Sequence, residues 1–356
     1  MFKFLKKILP NLFLLILSIF FSLVILELYL SFAPLKAKQS SDLWVDNFEF
    51  QYQVHLNSSH FRDEEFKREK DPNTFRIFLI GDSFVYGAGV ASEFTIDKLL
   101  EQKLNAGKSQ PYYEVYNLGI IGIDPPQYYK LARQFQAYHP DAVIVSFYVD
   151  NDVRAGEWKH RVYFIDWFKA MGEVVDAFLW KQGFSDCFFP NIKKYGDDSN
   201  QAYLHLACEG KINPHLFDRG HVSDQYLHYQ NITKIFKEDS YTSDLLYKIK
   251  ELFPGIPYLL LIHPSKYQVS SDYFQYLSPF GFNFPNRKLL GREIQNAILE
   301  WAGKNGVATL DVLPAMQAAT DKHFYHHIDD HYNIEGNDFV ATLLASYIEN
   351  TWAIHK

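Results

Sequence analysis

A serine hydroxyl attacks a carbonyl only when a base takes its proton, a third group orients that base, and N–H donors receive the oxyanion. The chain carries a candidate for each part, far apart in sequence. Ser83 lies in Arg76-Ile-Phe-Leu-Ile-Gly-Asp-Ser-Phe-Val-Tyr-Gly-Ala-Gly-Val90. Gly122 lies in Asn117-Leu-Gly-Ile-Ile-Gly-Ile-Asp124, and Asn151 in Asp150-Asn-Asp152. The sequence His326-His-Ile-Asp-Asp-His-Tyr-Asn333 holds His331, with Asp329 two residues ahead. In extended backbone, residues two apart point to one face, so Asp329 can reach His331 and set its tautomer. A glycine just past a strand lets a backbone N–H approach a ligand, and an asparagine amide is a good oxyanion donor.

Each of these residues has a plainer reading. Asp82 and Ser83 are common cap and turn residues. His323, His326, His327 and His331 with Asp329 and Asp330 offer imidazole and carboxylate in the mixture that binds metals. A metal would leave the Ser83, Gly122 and Asn151 stretches unexplained, so the Ser–His reading is preferred and no metal or cofactor is expected. His263 and Asp311 read as structural caps. Asn57-Ser-Ser59 and Asn231-Ile-Thr233 match glycosylation acceptors, a weak signal at that length.

The elements that must position these residues follow from the hydrophobic pattern. Ile77–Ile80 is an unbroken apolar run, as in a strand covered on both faces. Further strands are expected at Tyr112–Leu118, Ala142–Tyr148, Ile256–Ile262 and Val307–Asp311. Helices are expected at Glu93–Leu104, Gln127–Tyr138, Tyr241–Phe253, Arg287–Lys304 and Asn333–Asn350. Such alternation means a parallel sheet with helices on both faces, and the candidate residues follow strand ends, where open α/β sheets carry their chemistry.

Three stretches lie outside the alternation. Residues 1–34 place Lys3, Lys6 and Lys7 ahead of Ile8–Leu26, 19 residues without a charge. This reads as a single membrane anchor with the lysines inside and the rest of the chain outside; a cleaved signal ending at Ala33 is the rival, opposed by Pro34. Residues 35–74, polar and rich in charge, read as a linker or stalk, although His55–Arg62 could pack on the domain. Residues 153–240, dense in aromatic residues, read as an insertion over the site whose rings form its own small core or receive a sugar or acyl group. Cys187 and Cys208 fall there, and on the outer side of a membrane such a pair can oxidise. A net charge of −7 without a basic patch argues against a nucleic-acid partner.

The four stretches around Ser83, Gly122, Asn151 and His331, in that order, resemble the blocks of the SGNH/GDSL hydrolase family. Gly81-Asp82-Ser83 stands where the family has its nucleophile, Gly122 (with Gly119 close by) and Asn151 where it has oxyanion donors, and His331 where it has its base. The chain has Val149 where the family usually has Gly. It has Ile328 three residues before His331, where the family usually has Asp, so Asp329-x-His331 resembles a variant found in membrane-associated and glycan-acetylating branches; Asp330 is the second choice. The resemblance covers about residues 75–350 apart from the insertion. It implies a three-layer α/β/α sandwich with a five-stranded parallel sheet in flavodoxin-like order. It also implies an ester-bearing substrate, such as an acylated envelope glycan, cleaved through an acyl-serine. Transfer of the acyl group to a sugar, and a silent glycan-binding or assembly role, remain open beside it.

Overall fold

The computed structural model describes residues 2–37, 42–107, 111–150, 152, 240–277 and 291–352. Asn151, Cys187, Cys208 and almost all of the expected insertion lie outside the described residues. The chain divides into two compact units, with the boundary after Pro34.

Among the described residues, the first unit contains the long helix Phe2–Phe32. Its stretch Phe13–Leu30 is long and apolar enough to cross a membrane.

The second unit begins at Leu35. A small antiparallel ribbon pairs β1 (Leu43–Asp46) with β2 (Gln51–Val54). The main sheet contains β3 (Thr74–Gly81), β4 (Tyr112–Gly119), β5 (Ala142–Tyr148), β6 (Tyr258–His263) and β7 (Ala308–Asp311). Its order is β4-β3-β5-β6-β7 and every pairing is parallel, the doubly wound arrangement the alternation implies. Along β3, Ile77 and Leu79 enter one apolar layer, with helices Ile96–Asn105 and Ile334–Thr351. Phe78 and Ile80 enter the other, with helices Pro125–Phe135, Tyr241–Leu252 and Glu293–Lys304. Two-sided burial explains the unbroken run, because each pleat position has its own core to fill.

The sheet's geometry sets up a crevice. Since β3 lies between β4 and β5, the β3–β4 connection runs over one face of the sheet and the β4–β5 connection over the other, and the carboxyl ends of these strands stand side by side. Register pairs Gly81 with Gly119 at that end. A Cβ on Gly119 would run into the backbone of Val85 and Tyr86, so a side chain there would push the β4 end away from the turn after β3.

The described part of the stretch 35–74, residues 35–37 and 42–74, corrects the linker expectation, for it packs onto the α/β body. Tyr52, Val54 and Leu56 are buried with Tyr86 in a third small core. Phe61 is buried and meets Phe135 edge-on at 5.2 Å. Arg62, 2% exposed, donates to the carbonyls of Tyr86 (3.2 Å), Gly87 (2.6 Å) and Val90 (2.6 Å), and lies over the Tyr52 ring at 4.7 Å. Burial pulls its pKa down, yet backbone carbonyls take the place of the lost water. The stretch therefore works as a strap across the turn after Ser83. Replacement of Arg62 by Ala would take the charged donor away from three buried carbonyls, and we expect a loss of about 3 kcal/mol or more, read as a lower urea midpoint. A free linker would tolerate that change.

Candidate active site

Ser83 opens a one-turn helix, Ser83–Tyr86, directly after β3. Asp82 caps it by accepting the Phe84 N–H at 2.9 Å, and Gly87 ends it in the left-handed region at φ 76°. The hydroxyl is thus presented at the sheet's crevice by a turn that its flanking residues specify.

His331 comes from the other end of the chain. Its loop is closed by an antiparallel bridge between Tyr325 and Tyr332 and by the His326 N–H donating to the His331 carbonyl at 3.1 Å. Nε2 of His331 lies 2.7 Å from Ser83 Oγ, and Nδ1 lies 2.5 Å from Asp329 Oδ1. A carboxylate can only accept, so it fixes the proton on Nδ1 and leaves Nε2 bare to accept the serine O–H. Asp329 reaches the ring by a route other than alternation. The backbone is bent there, and the same Oδ1 also accepts the His331 backbone N–H at 3.0 Å. Asp330 turns away and pairs with Lys266 at 2.9 Å.

Burial and charge act in opposite directions on this pair. Burial raises the Asp329 pKa, but the facing imidazole and its hydrogen bonds outweigh that and hold it below the usual carboxylate range. Burial lowers the His331 pKa, but Asp329, with smaller help from Asp82 and Asp330, raises it above its ordinary 6.5. The Asp329 contribution to stability is present above its unfolded-state pKa and is lost as pH falls through its lower folded value. The His331 contribution is complete below 6.5 and is lost as pH rises through the higher folded value.

The residues expected to receive the oxyanion are only partly among the described ones. The N–H groups of Ser83 and Gly122 donate to no acceptor among the described residues. Gly122 adopts φ 73°, the left-handed region where glycine is at ease, and a side chain there would be strained. The N–H of Gly119 is taken by Asn117 Oδ1 at 3.0 Å. Asn117 also donates to the Val85 carbonyl at 2.7 Å and to Asp97 at 2.6 Å, tying the β4 end to the serine turn. Asp97 is fully buried, and burial together with the charge of Asp63 pushes its pKa up to about 7. Asn151 lies outside the described residues. Its neighbours are anchored: Asp150 accepts from the Tyr148 hydroxyl at 2.9 Å, and Asp152 accepts from the Tyr128 hydroxyl at 2.8 Å and the Tyr148 N–H at 2.7 Å.

Among the described residues, no cluster of His, Cys, Asp and Glu could hold a metal ion. His326 packs on the Phe50 ring at 4.7 Å. His263 is fully buried, stacks on Phe84 and meets the Tyr332 hydroxyl at 3.1 Å, and burial drives its pKa down to about 3, so it stays neutral. Two further residues approach the His331 loop, Glu49 and Lys266. The sequence offered only one hint of the first, the period-two alternation Phe50, Tyr52, Val54, Leu56 beside it, and none of the second.

No protein-family model and no curated protein matches the chain. It is similar to solved structures of lipolytic hydrolases at low identity. One is a lipase/acylhydrolase from Enterococcus faecalis, with a TM-score of 0.41 and 13% identity over 77% of this chain and 95% of that one. Another is a member of the lipolytic protein G-D-S-L family from Veillonella parvula, with a TM-score of 0.39 and 12% identity over 78% of this chain and 99% of that one. An acetyl xylan esterase gives a TM-score of 0.41 and 14% identity over 77% of this chain and 100% of that one.

The pair of opposed influences on His331 yields a direct test. In Asp329→Asn the carboxylate is lost while burial remains, so the imidazole should titrate below 6.5, whereas in the unaltered protein it titrates above 6.5. Histidine-selective NMR titration reads both values.

Proposed function

We propose that the chain is a serine esterase of the SGNH/GDSL kind, held by its N-terminal helix on the outer face of a membrane, that removes an acyl group from an ester through an acyl-serine intermediate. The observation that carries this reading is the continuous hydrogen-bonded series Ser83–His331–Asp329, with contacts of 2.7 and 2.5 Å.

In this mechanism neutral His331 takes the Ser83 proton at Nε2 as Oγ bonds to the ester carbonyl carbon. Asp329 holds Nδ1–H and offsets the positive charge that forms on the ring. The N–H groups of Ser83 and Gly122, with the Asn151 amide, receive the carbonyl oxygen as it becomes negative. Collapse of the tetrahedral intermediate breaks the bond to the leaving alkoxide, which takes its proton from His331. A second nucleophile then attacks the acyl carbon, again losing its proton to His331, and as the Oγ–acyl bond breaks Ser83 Oγ takes that proton back from His331. With water the products are a free carboxylic acid and the regenerated serine.

The lysines at positions 3, 6 and 7, ahead of the apolar helix, support an outward-facing catalytic unit. An acylated envelope glycan is then the substrate class at hand, and acetyl the simplest acyl group.

The test treats the full-length protein with a fluorophosphonate, which reacts only with an activated serine. We expect labelling that is lost in Ser83→Ala and in His331→Ala. Asn151→Ala should slow ester turnover by roughly a hundred- to a thousandfold while leaving the fold intact. Labelling that survives in Ser83→Ala would sink the proposal.

A further inference from the structure

The His331 loop is gripped between two charges of opposite sign. Glu49, in the turn between β1 and β2, accepts three successive backbone N–H groups: His327 at 2.7 Å on Oε1, and Ile328 at 2.9 Å and Asp329 at 2.7 Å on Oε2. Its side chain is 10% exposed. Across the loop, the ammonium of Lys266, fully buried, donates to the carbonyl of Ile328 at 2.8 Å and lies 3.3 Å from that of Asp329 and 3.4 Å from that of His327. It also pairs with Asp330. An anion takes the N–H side of these peptide groups, and a cation takes the carbonyl side.

This arrangement exceeds what a surface turn needs. One carboxylate on three consecutive amides fixes the backbone dihedrals between them, since the N–H vectors must converge. Glu49 is itself set in place. Its N–H donates to Asn47 Oδ1 at 3.1 Å, the Asn47 N–H donates to the Phe50 carbonyl at 2.9 Å, and the next residue, Phe50, packs on His326. The last amide in the grip belongs to Asp329, whose side chain orients His331.

We propose that Glu49 is a positioning residue for the acid–base pair. With Lys266, it holds the Asp329 backbone so that the Asp329 carboxylate meets Nδ1 of His331 and Nε2 meets Ser83. The catalytic consequence rests on the esterase reading, while the grip on the loop does not. The strap that reads as a linker thus holds both halves of the site, the serine turn through Arg62 and the histidine loop through Glu49.

The test uses Glu49→Gln in the full-length, detergent-solubilised protein. Gln has the same shape but presents an NH2 where an oxygen had faced the amides. Among the described residues, the charged and titratable groups around His331 are Asp329, Asp330 and His326 on its own loop, Asp82 and Ser83 on the serine turn, and Lys266 behind Asp330. If the grip loosens, Asp329 draws back and burial dominates, so the His331 midpoint should fall toward or below 6.5. Fluorophosphonate labelling should slow by about ten- to a hundredfold, and its acid limb should move to lower pH with the midpoint. Glu49→Asp keeps the charge but shortens the reach, so a fall in the same direction there assigns the effect to geometry. It also stands in should Glu49→Gln fail to fold. A folded Glu49→Gln in which His331 titrates unchanged overturns the proposal. So does slower labelling with an unmoved acid limb, the signature of a merely structural role. Should the unaltered protein resist labelling altogether, the esterase reading fails, and the NMR titration of His331 still decides the positioning role.

Discussion

The hydrogen bond between His331 Nε2 and Ser83 Oγ joins positions 248 apart in the chain, and the rest of the structure can be understood as what makes that contact hold. Its geometry tolerates errors of a few tenths of an ångström. The serine side has a rigid base, because β3 is flanked by a strand on each side and covered on both faces. The histidine side is a loop, and a loop has no ladder of its own to define it. Its precision comes from the Tyr325–Tyr332 bridge, the Asp329 carboxylate bonding the backbone and ring of His331, and the grip of Glu49 and Lys266.

Buried charges that bond to backbone recur around the site. Arg62 takes three carbonyls, Glu49 three amides, and Lys266 the carbonyls opposite. Desolvating a charge is costly, and peptide dipoles compensate only when several point at it together. Each such residue therefore tolerates one local backbone conformation and penalises the others. A hydrophobic side chain in the same place would fill volume without specifying a conformation, because dispersion has little directionality. These three residues concentrate directional bonding where the serine turn and the histidine loop must meet.

Much of the main sheet was legible in the sequence. Ala142–Tyr148 is a strand from end to end, because its apolar run has the length of a strand and a proline just ahead of it. The other strands and most helices differ from expectation by a few residues at their ends, where fraying and short 3-10 turns blur the boundary. The helix expected from Arg287 is seen from Glu293, residues 287–290 lying outside the described ones. Residues 35–74 misled because composition averages over a stretch. The charges from Arg62 to Asp71 outweigh the alternating Phe50, Tyr52, Val54 and Leu56, although that alternation is a strand signal. Asp329 was matched to His331 by a face argument, and the contact is made by a bend.

The sequence by itself determined the parallel sheet, the long apolar helix and the set of residues from which a nucleophile, a base and an orienting acid could be drawn. These are local facts, since periodicity, run length and residue type are read within a window of neighbours. Only the tertiary structure decided that Asp329 rather than Asp330 faces the imidazole and that Asn117 ties the β4 end to the serine turn. It alone decided that Arg62, Glu49 and Lys266 converge on the two segments bearing Ser83 and His331. The physical reason is common to all: a buried charge or amide takes its partner from whatever backbone the fold brings within 3 Å or so, and that distance depends on the whole path of the chain.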